Sequence, residues 1–168
     1  MDAAAVCAVR TARPDDLVAV LQVYAAERAP DGDSPHEVSD LARLTWQQMM
    51  RSSGLTVYLA EVDDQVVGTA TLVTMPNLTY GCAPTAFVEA VVVAAGHRRK
   101  GVATAIMRRL LGDARSAGCN KVQLLSHKRP ATDGAHRLYT SLGFEPEAEG
   151  FRLYVRQVPV AVQAAKAT

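Results

Sequence analysis

The chain lacks a charge excess, a membrane-length apolar run and a cysteine framework, and each absence removes a class of function. Lysine and arginine number 18 against 17 acids, a formal net charge of +1 over 168 residues. No overall field therefore draws the chain to nucleic acid or to an anionic membrane. An enzyme working on tRNA would be expected to carry a basic excess, and this chain has none. No apolar run approaches a bilayer span, and Met1-Asp-Ala-Ala-Ala5 is not the basic-then-apolar start of a secretory signal. The expectation is a cytoplasmic protein with neither a nucleic-acid nor a membrane partner. Cys7, Cys82 and Cys119 are odd in number and without metal-ligand spacing, so they read as reduced thiols. His36, His97, His127 and His136 are equally scattered, and no metal is expected.

Two common phosphate-binding fingerprints are missing as well. Gly96 and Gly101 have P-loop glycine spacing, but Val102-Ala103 stand where that motif needs lysine and a hydroxyl. Gly-x-Gly-x-x-Gly does not occur, which argues against a dinucleotide fold of the Rossmann type.

What is present is a solid apolar strand, Ala86-Phe-Val-Glu-Ala-Val-Val-Val93, feeding the basic turn Ala94-Ala-Gly-His-Arg-Arg-Lys-Gly101. Beyond Gly101 the apolar period changes to helical: Val102, Ile106, Leu110 and Ala114 recur on one side. A strand, a glycine-bearing turn and a helix N-terminus together offer free N–H groups and the positive end of a helix dipole. That arrangement suits a phosphate.

The rest of the chain reads as one domain over residues 1–158, with 159–168 a loose alanine-rich tail; 49% hydrophobic residues suffice for one core. Val6–Thr11 reads as a first strand, and Pro14-Asp-Asp opens a helix running to Arg28. Ser34-Pro-His-Glu37 is a capping box that starts a second helix. Leu55–Val62 and Gln65–Thr74 form a hairpin around Asp63-Asp64, and Met75–Thr85 is a loop. Lys121–Ser126 is a further strand, a helix follows, and Phe151–Val158 reads as the last strand.

Arg98-Arg-Lys-Gly101-Val-Ala103 resembles the Arg/Gln-x-x-Gly-x-Gly/Ala turn of the GNAT acyl-CoA N-acyltransferases. Ala135-His-Arg-Leu-Tyr139-Thr-Ser-Leu-Gly143-Phe144 resembles that family's second signature, Ala-x-x-x-Tyr-x-x-x-Gly-Phe. The two lie in the family's order, and the resemblance spans Ala86 to about Phe151. The order of elements, β-α-α-β-β-β-α-β-α-β, makes an α/β fold with a mixed, mostly antiparallel sheet and about four flanking helices, and the resemblance implies splayed central strands. It also implies acetyl-CoA as cosubstrate and transfer of its acetyl group to a primary amine.

The resemblance carries roles onto particular residues. Glu89 interrupts an apolar strand, where desolvation favours a proton-accepting carboxylate. It matches the position of a family base or water-positioning group; the alternative is a partly solvated carboxylate paired with an arginine. Tyr139 matches the family tyrosine that protonates the leaving thiolate, though its ring would also pack on the sheet in any amphipathic helix. The backbone of Val91, Val92 and Val93 would pair with the pantetheine amides as an added half-strand. Arg98, Arg99, Lys100, Gly101, Val102, Ala103 and Thr104 would hold the pyrophosphate. Thr132 stands where many relatives have asparagine, and that cofactor contact is left open.

Asp31, Asp33, Glu37 and the loop holding Tyr80 border the expected acceptor region, and the acids suggest cationic amines. Acceptors of two kinds stay open, a small molecule or a protein N-terminus or lysine. So do a non-catalytic acyl-CoA-binding module and homodimer formation.

Overall fold

The computed structural model describes residues 7–28, 38–126 and 134–155. Five strands lie in sequence order in one sheet: β1 (Ala8–Thr11), β2 (Leu55–Val62), β3 (Gln65–Met75), β4 (Thr85–Val93) and β5 (Lys121–Leu124). The first four pair antiparallel and β5 pairs parallel to β4. The helices are α1 (Leu17–Arg28), α2 (Asp40–Arg51), α3 (Val102–Ser116) and α4 (Gly134–Ser141). This is the expected mixed, mostly antiparallel α/β architecture.

The β2–β3 hairpin closes on Asp63 and Asp64, whose φ values of 50° and 60° are those of the turn that matches strand twist. Aspartate tolerates this left-handed region better than most residues, which is why the pair works here. The hairpin matches its expected position, β3 running one residue further.

Alternation along the strands divides the core. On one face Tyr58, Ala60, Ala70 and Leu72 meet α3, whose Ile106, Met107 and Leu110 are fully buried. Each such side chain contributes about 1.5–3 kcal/mol relative to exposure. On the other face Val57 and Leu59 pack with Val20 of α1 and Trp46 of α2. The Trp46 indole N–H donates to the Pro14 carbonyl at 2.8 Å, tying α2 to the turn ahead of α1.

At the outer edge Arg10 makes a shared ion pair. Its guanidinium donates to Asp16 at 2.6 and 2.8 Å and to Glu61 at 2.8 Å, joining β1, the turn before α1 and β2. Asp16 also accepts the Arg13 backbone N–H at 2.6 Å. The hydrogen bond from Arg10, outweighing partial burial, holds the Asp16 carboxyl below its ordinary value.

Two local expectations are revised, and two others lie outside the described residues. Helix α2 is capped by Ser39, whose hydroxyl accepts the Ala42 N–H at 3.2 Å, so the described helix starts at Asp40. The capping box at 34–37 lies outside the described residues, as does the tail at 159–168. The last strand expected over Phe151–Val158 is not formed in residues 151–155, which pair with no strand. Apolar alternation there is present, but Phe151, Leu153 and Val155 are each more than four-fifths exposed, and among the described residues no neighbouring face covers them.

Candidate functional site

Strands β4 and β5 run together only briefly. Thr85, Ala86, Phe87 and Val88 pair with Lys121, Val122, Gln123 and Leu124, and there the pairing stops while β4 continues to Val93. From Glu89 onward β4 keeps β3 on one side and has no strand partner on the other among the described residues. The central strands are therefore splayed, as the resemblance implied.

At the point of divergence β4 carries a bulge. Thr71 pairs with Glu89 and Thr69 with Val92, so Ala90 and Val91 together oppose Ala70. Ala90 takes a φ of 52°, a conformation that disfavours a residue with a Cβ. A bulge of this kind re-aims backbone groups and ends regular pairing, and bulges are frequent beside active sites. Nothing in the apolar run Ala90–Val93 signals it, because alanine is not a residue that normally takes positive φ.

The bulge exposes Glu89, which corrects the reading of a desolvated carboxylate inside an apolar strand. Pairing with β5 has ended here, and Glu89 is exposed while its cross-strand neighbour Thr71 is buried. Among the described residues nothing buries the Glu89 side chain.

The turn after β4 is built from unusual backbone. Ala95–His97 make one 3₁₀ turn, Arg99 has φ 63° and Gly101 has φ 82°. Gly101 is the N-cap of α3 and, having no side chain, leaves the first turn of the helix uncapped. Its carbonyl accepts the first helical bond, from Ala105 at 2.9 Å, so Val102, Ala103 and Thr104 direct N–H groups outward without intrahelical partners. No acid occupies the first turn of α3. A Cβ on Gly101 would meet nothing within 4 Å, so glycine is needed there for its φ and for open space in front of the amides. Arg98, Arg99 and Lys100 are all exposed around this opening. An anionic pyrophosphate fits these amides, this dipole and these cations.

Arg98 has a second duty that sequence reasoning missed. Its Nε donates to the Val93 carbonyl at 3.1 Å, fastening the turn to the end of β4. Val93 was expected to offer its backbone to pantetheine; here its carbonyl is engaged by Arg98. The guanidinium of Arg99 reaches the start of α4, with Nη1 3.5 Å from where a Cβ on Gly134 would stand. The two signature segments thus meet in space.

The second signature has a structural explanation of its own. Gly143, at φ 88°, donates its N–H to the Thr140 carbonyl at 3.0 Å, and Phe144 donates to the Tyr139 carbonyl at 3.0 Å. This is a Schellman ending for α4, with the accompanying apolar contact between its two flanks. Tyr139 and Phe144 make that contact edge to face, ring centroids 6.0 Å apart. The ring of Tyr139 is half-buried against the main core and is held where α4 ends.

Other candidates fall elsewhere. Thr132, Asp31, Asp33 and Glu37 lie outside the described residues. Tyr80 sits at the opposite end of β4 from the bulge, where Lys121 Nζ stands 5.4 Å from its ring centre. Its loop therefore borders the closed end of the β4–β5 pair. Among the described residues no three histidines, cysteines or acids gather as a metal site, and no helix is long and apolar enough to cross a membrane.

Comparison with known proteins agrees with this geometry. The Acetyltransferase (GNAT) family profile matches residues 19–144. A glucosamine 6-phosphate N-acetyltransferase of Trypanosoma brucei brucei is 31% identical over 107 residues, covering 62% of this chain and 69% of that protein. Among solved structures, a putative acetyltransferase from Agrobacterium tumefaciens is 34% identical with a TM-score of 0.77, covering 89% of this chain and 99% of its own. An acetyltransferase from Trypanosoma brucei is 25% identical with a TM-score of 0.72, covering 89% and 100%. With its splayed strands, its uncapped helix behind a glycine turn and a family match over most of its length, the chain belongs to the GNAT family and is an acetyl-CoA-dependent N-acetyltransferase.

Proposed function

We propose that the chain moves the acetyl group of acetyl-CoA to a primary amine of a small molecule by direct attack within a ternary complex. The observation that carries this reading is the divergence of β4 and β5 beside the Ala90 bulge, next to the uncapped N-terminus of α3. Amides of Val102, Ala103 and Thr104 take the pyrophosphate, with Arg99 and Lys100 adding charge. The free edge of β4 at Val91 and Val92 pairs with the pantetheine amides. The thioester then lies along β4 near the bulge, where outward-turned amides can donate to the developing oxyanion.

Glu89 takes the proton of the acceptor ammonium, leaving an amine lone pair. That lone pair forms the new N–C bond at the thioester carbonyl, and the C–S bond breaks as the tetrahedral intermediate collapses. Tyr139 gives its phenolic proton to the departing thiolate. The exposure of Glu89 supports this division of work, since an acceptor must approach the carboxylate from solvent.

Amino sugars are the first acceptors to try, on the strength of the trypanosomal relative's name. The test is release of free CoA thiol from acetyl-CoA in the presence of a panel of amino sugars and other small amines. Amine-dependent release is expected, and acetylation confined to peptide substrates would overturn the small-molecule assignment.

A further inference from the structure

Among the described residues one buried side-chain oxygen has no hydrogen-bond partner, and it lies beside the candidate base. Thr69 is fully buried in β3, and its Oγ1 is unpaired. Leaving a buried hydroxyl unmatched costs free energy, so such a group calls for a partner that protein atoms do not supply.

The register fixes where this hydroxyl lies. A Cβ on Gly68 would point at Val102 and Ile106, so Gly68 faces α3 and Thr69 faces the opposite side of the sheet. Thr71, two residues on, shares the face of Thr69, and Glu89 is directly across from Thr71. Thr69 is therefore the diagonal neighbour of Glu89, a relationship that places such residues roughly 7–8 Å apart. The short threonine side chain spans little of that separation between residues, and one water can join its hydroxyl to the longer glutamate side chain. The bulge at Ala90–Val91 intervenes between the Thr71–Glu89 and Thr69–Val92 pairs, breaking the regular packing where the water would sit.

We infer that Thr69 holds an ordered water that fixes the carboxylate of Glu89, making Thr69 a positioning residue for proton removal from the acceptor. The water accepts the Thr69 O–H and donates one of its own protons to a Glu89 oxygen. The other carboxylate oxygen faces the acceptor and takes the ammonium proton, so the water itself is unchanged by the reaction. An exposed glutamate otherwise explores several rotamers, and this tether removes that freedom. The inference rests on the acetyl transfer proposed above and adds the means by which its base is aimed.

The test compares Thr69→Val, which keeps shape and removes the hydroxyl, with Thr69→Ser, which keeps the hydroxyl. Thr69→Val should lower kcat about 10-fold or more, as misplacement of a catalytic group does. Affinity for acetyl-CoA should stay unchanged, and Thr69→Ser should retain most activity. In a Glu89→Gln background Thr69→Val should have no further effect, because its action passes through the carboxylate. Full activity of Thr69→Val, or an equal loss in the Glu89→Gln background, would overturn the inference. Should the native enzyme acetylate none of the amines tried, a high-resolution crystal structure of the acetyl-CoA complex decides. Density for a water joining Thr69 and Glu89 supports the tether, and a dry hydroxyl rejects it.

Discussion

Gly68 of β3 lies directly against Val102, the first residue of α3. A Cβ on Gly68 would stand 2.9 Å from Val102 Cγ1 and 3.0 Å from Ile106 Cδ1. This close approach sets the phosphate-binding end of the helix down beside the final residues of β4, since Gly68 is also paired with Val93. One missing methyl group thus couples the sheet to the cofactor turn.

Gly68→Ala should cost about 1–3 kcal/mol, the usual range for overpacking a filled core. It should also weaken acetyl-CoA binding, because relief of the clash lifts the N-terminus of α3. Chemical denaturation and a titration with acetyl-CoA measure the two effects separately. An alanine variant with native stability and native affinity would show that the contact yields freely.

Acetyl-CoA at ~100 times its dissociation constant should stabilise the fold by about 2.7 kcal/mol. Gly101→Glu should abolish that gain by setting a carboxylate and a side chain in front of amides meant for pyrophosphate. Gly101→Ala isolates the backbone contribution: φ 82° costs a residue with a Cβ about 1–2 kcal/mol, with no steric contact to add. Thermal melts of the three proteins with and without acetyl-CoA check both claims. A native protein whose melting temperature ignores acetyl-CoA would contradict the pyrophosphate assignment.

Glu89→Gln should reduce turnover by about 10²-fold near neutral pH and by less at high pH, where the free amine forms unaided. Tyr139→Phe should slow turnover by about 10- to 100-fold while leaving acetyl-CoA affinity close to native. Its ring contact with Phe144 survives the change. Steady-state kinetics across pH provide the check; an unchanged profile for Glu89→Gln would move the base elsewhere.

The Arg10–Asp16 pair should make the fold acid-sensitive. The carboxyl of Asp16 is held below its ordinary value by Arg10. Its contribution is therefore complete above the unfolded value of about 3.9 and is lost as pH falls through the lower folded value. Asp16→Asn should cost about 1–2 kcal/mol at neutral pH through weakened charge-assisted bonds. The difference from native should shrink on acidification below about pH 4. Urea midpoints of both proteins over that range measure it, and a constant difference would assign the loss to packing instead.

Sequence alone was enough to locate the two signatures, the hairpin on Asp63-Asp64, the strand–turn–helix at Ala86–Ala114 and the mixed α/β class. Those features are local: a change of apolar period, a residue suited to positive φ and a spacing of glycines each act over a few neighbours. Tertiary structure alone decided the rest. Ala90 takes a bulge that its residue type does not favour, because β4 must part from β5 there while staying paired to β3. The parting then exposes Glu89, which the apolar run had suggested was dry. Phe151, Leu153 and Val155 alternate like a strand yet pair with none, since strand formation needs a neighbour as well as a pattern. Arg98 also fastens Val93, and Thr69 carries an unmatched hydroxyl on the sheet face it shares with Thr71, across from Glu89. Each outcome depends on what another segment brings alongside, and strand registers and close approaches of that kind are long-range properties with no local signal.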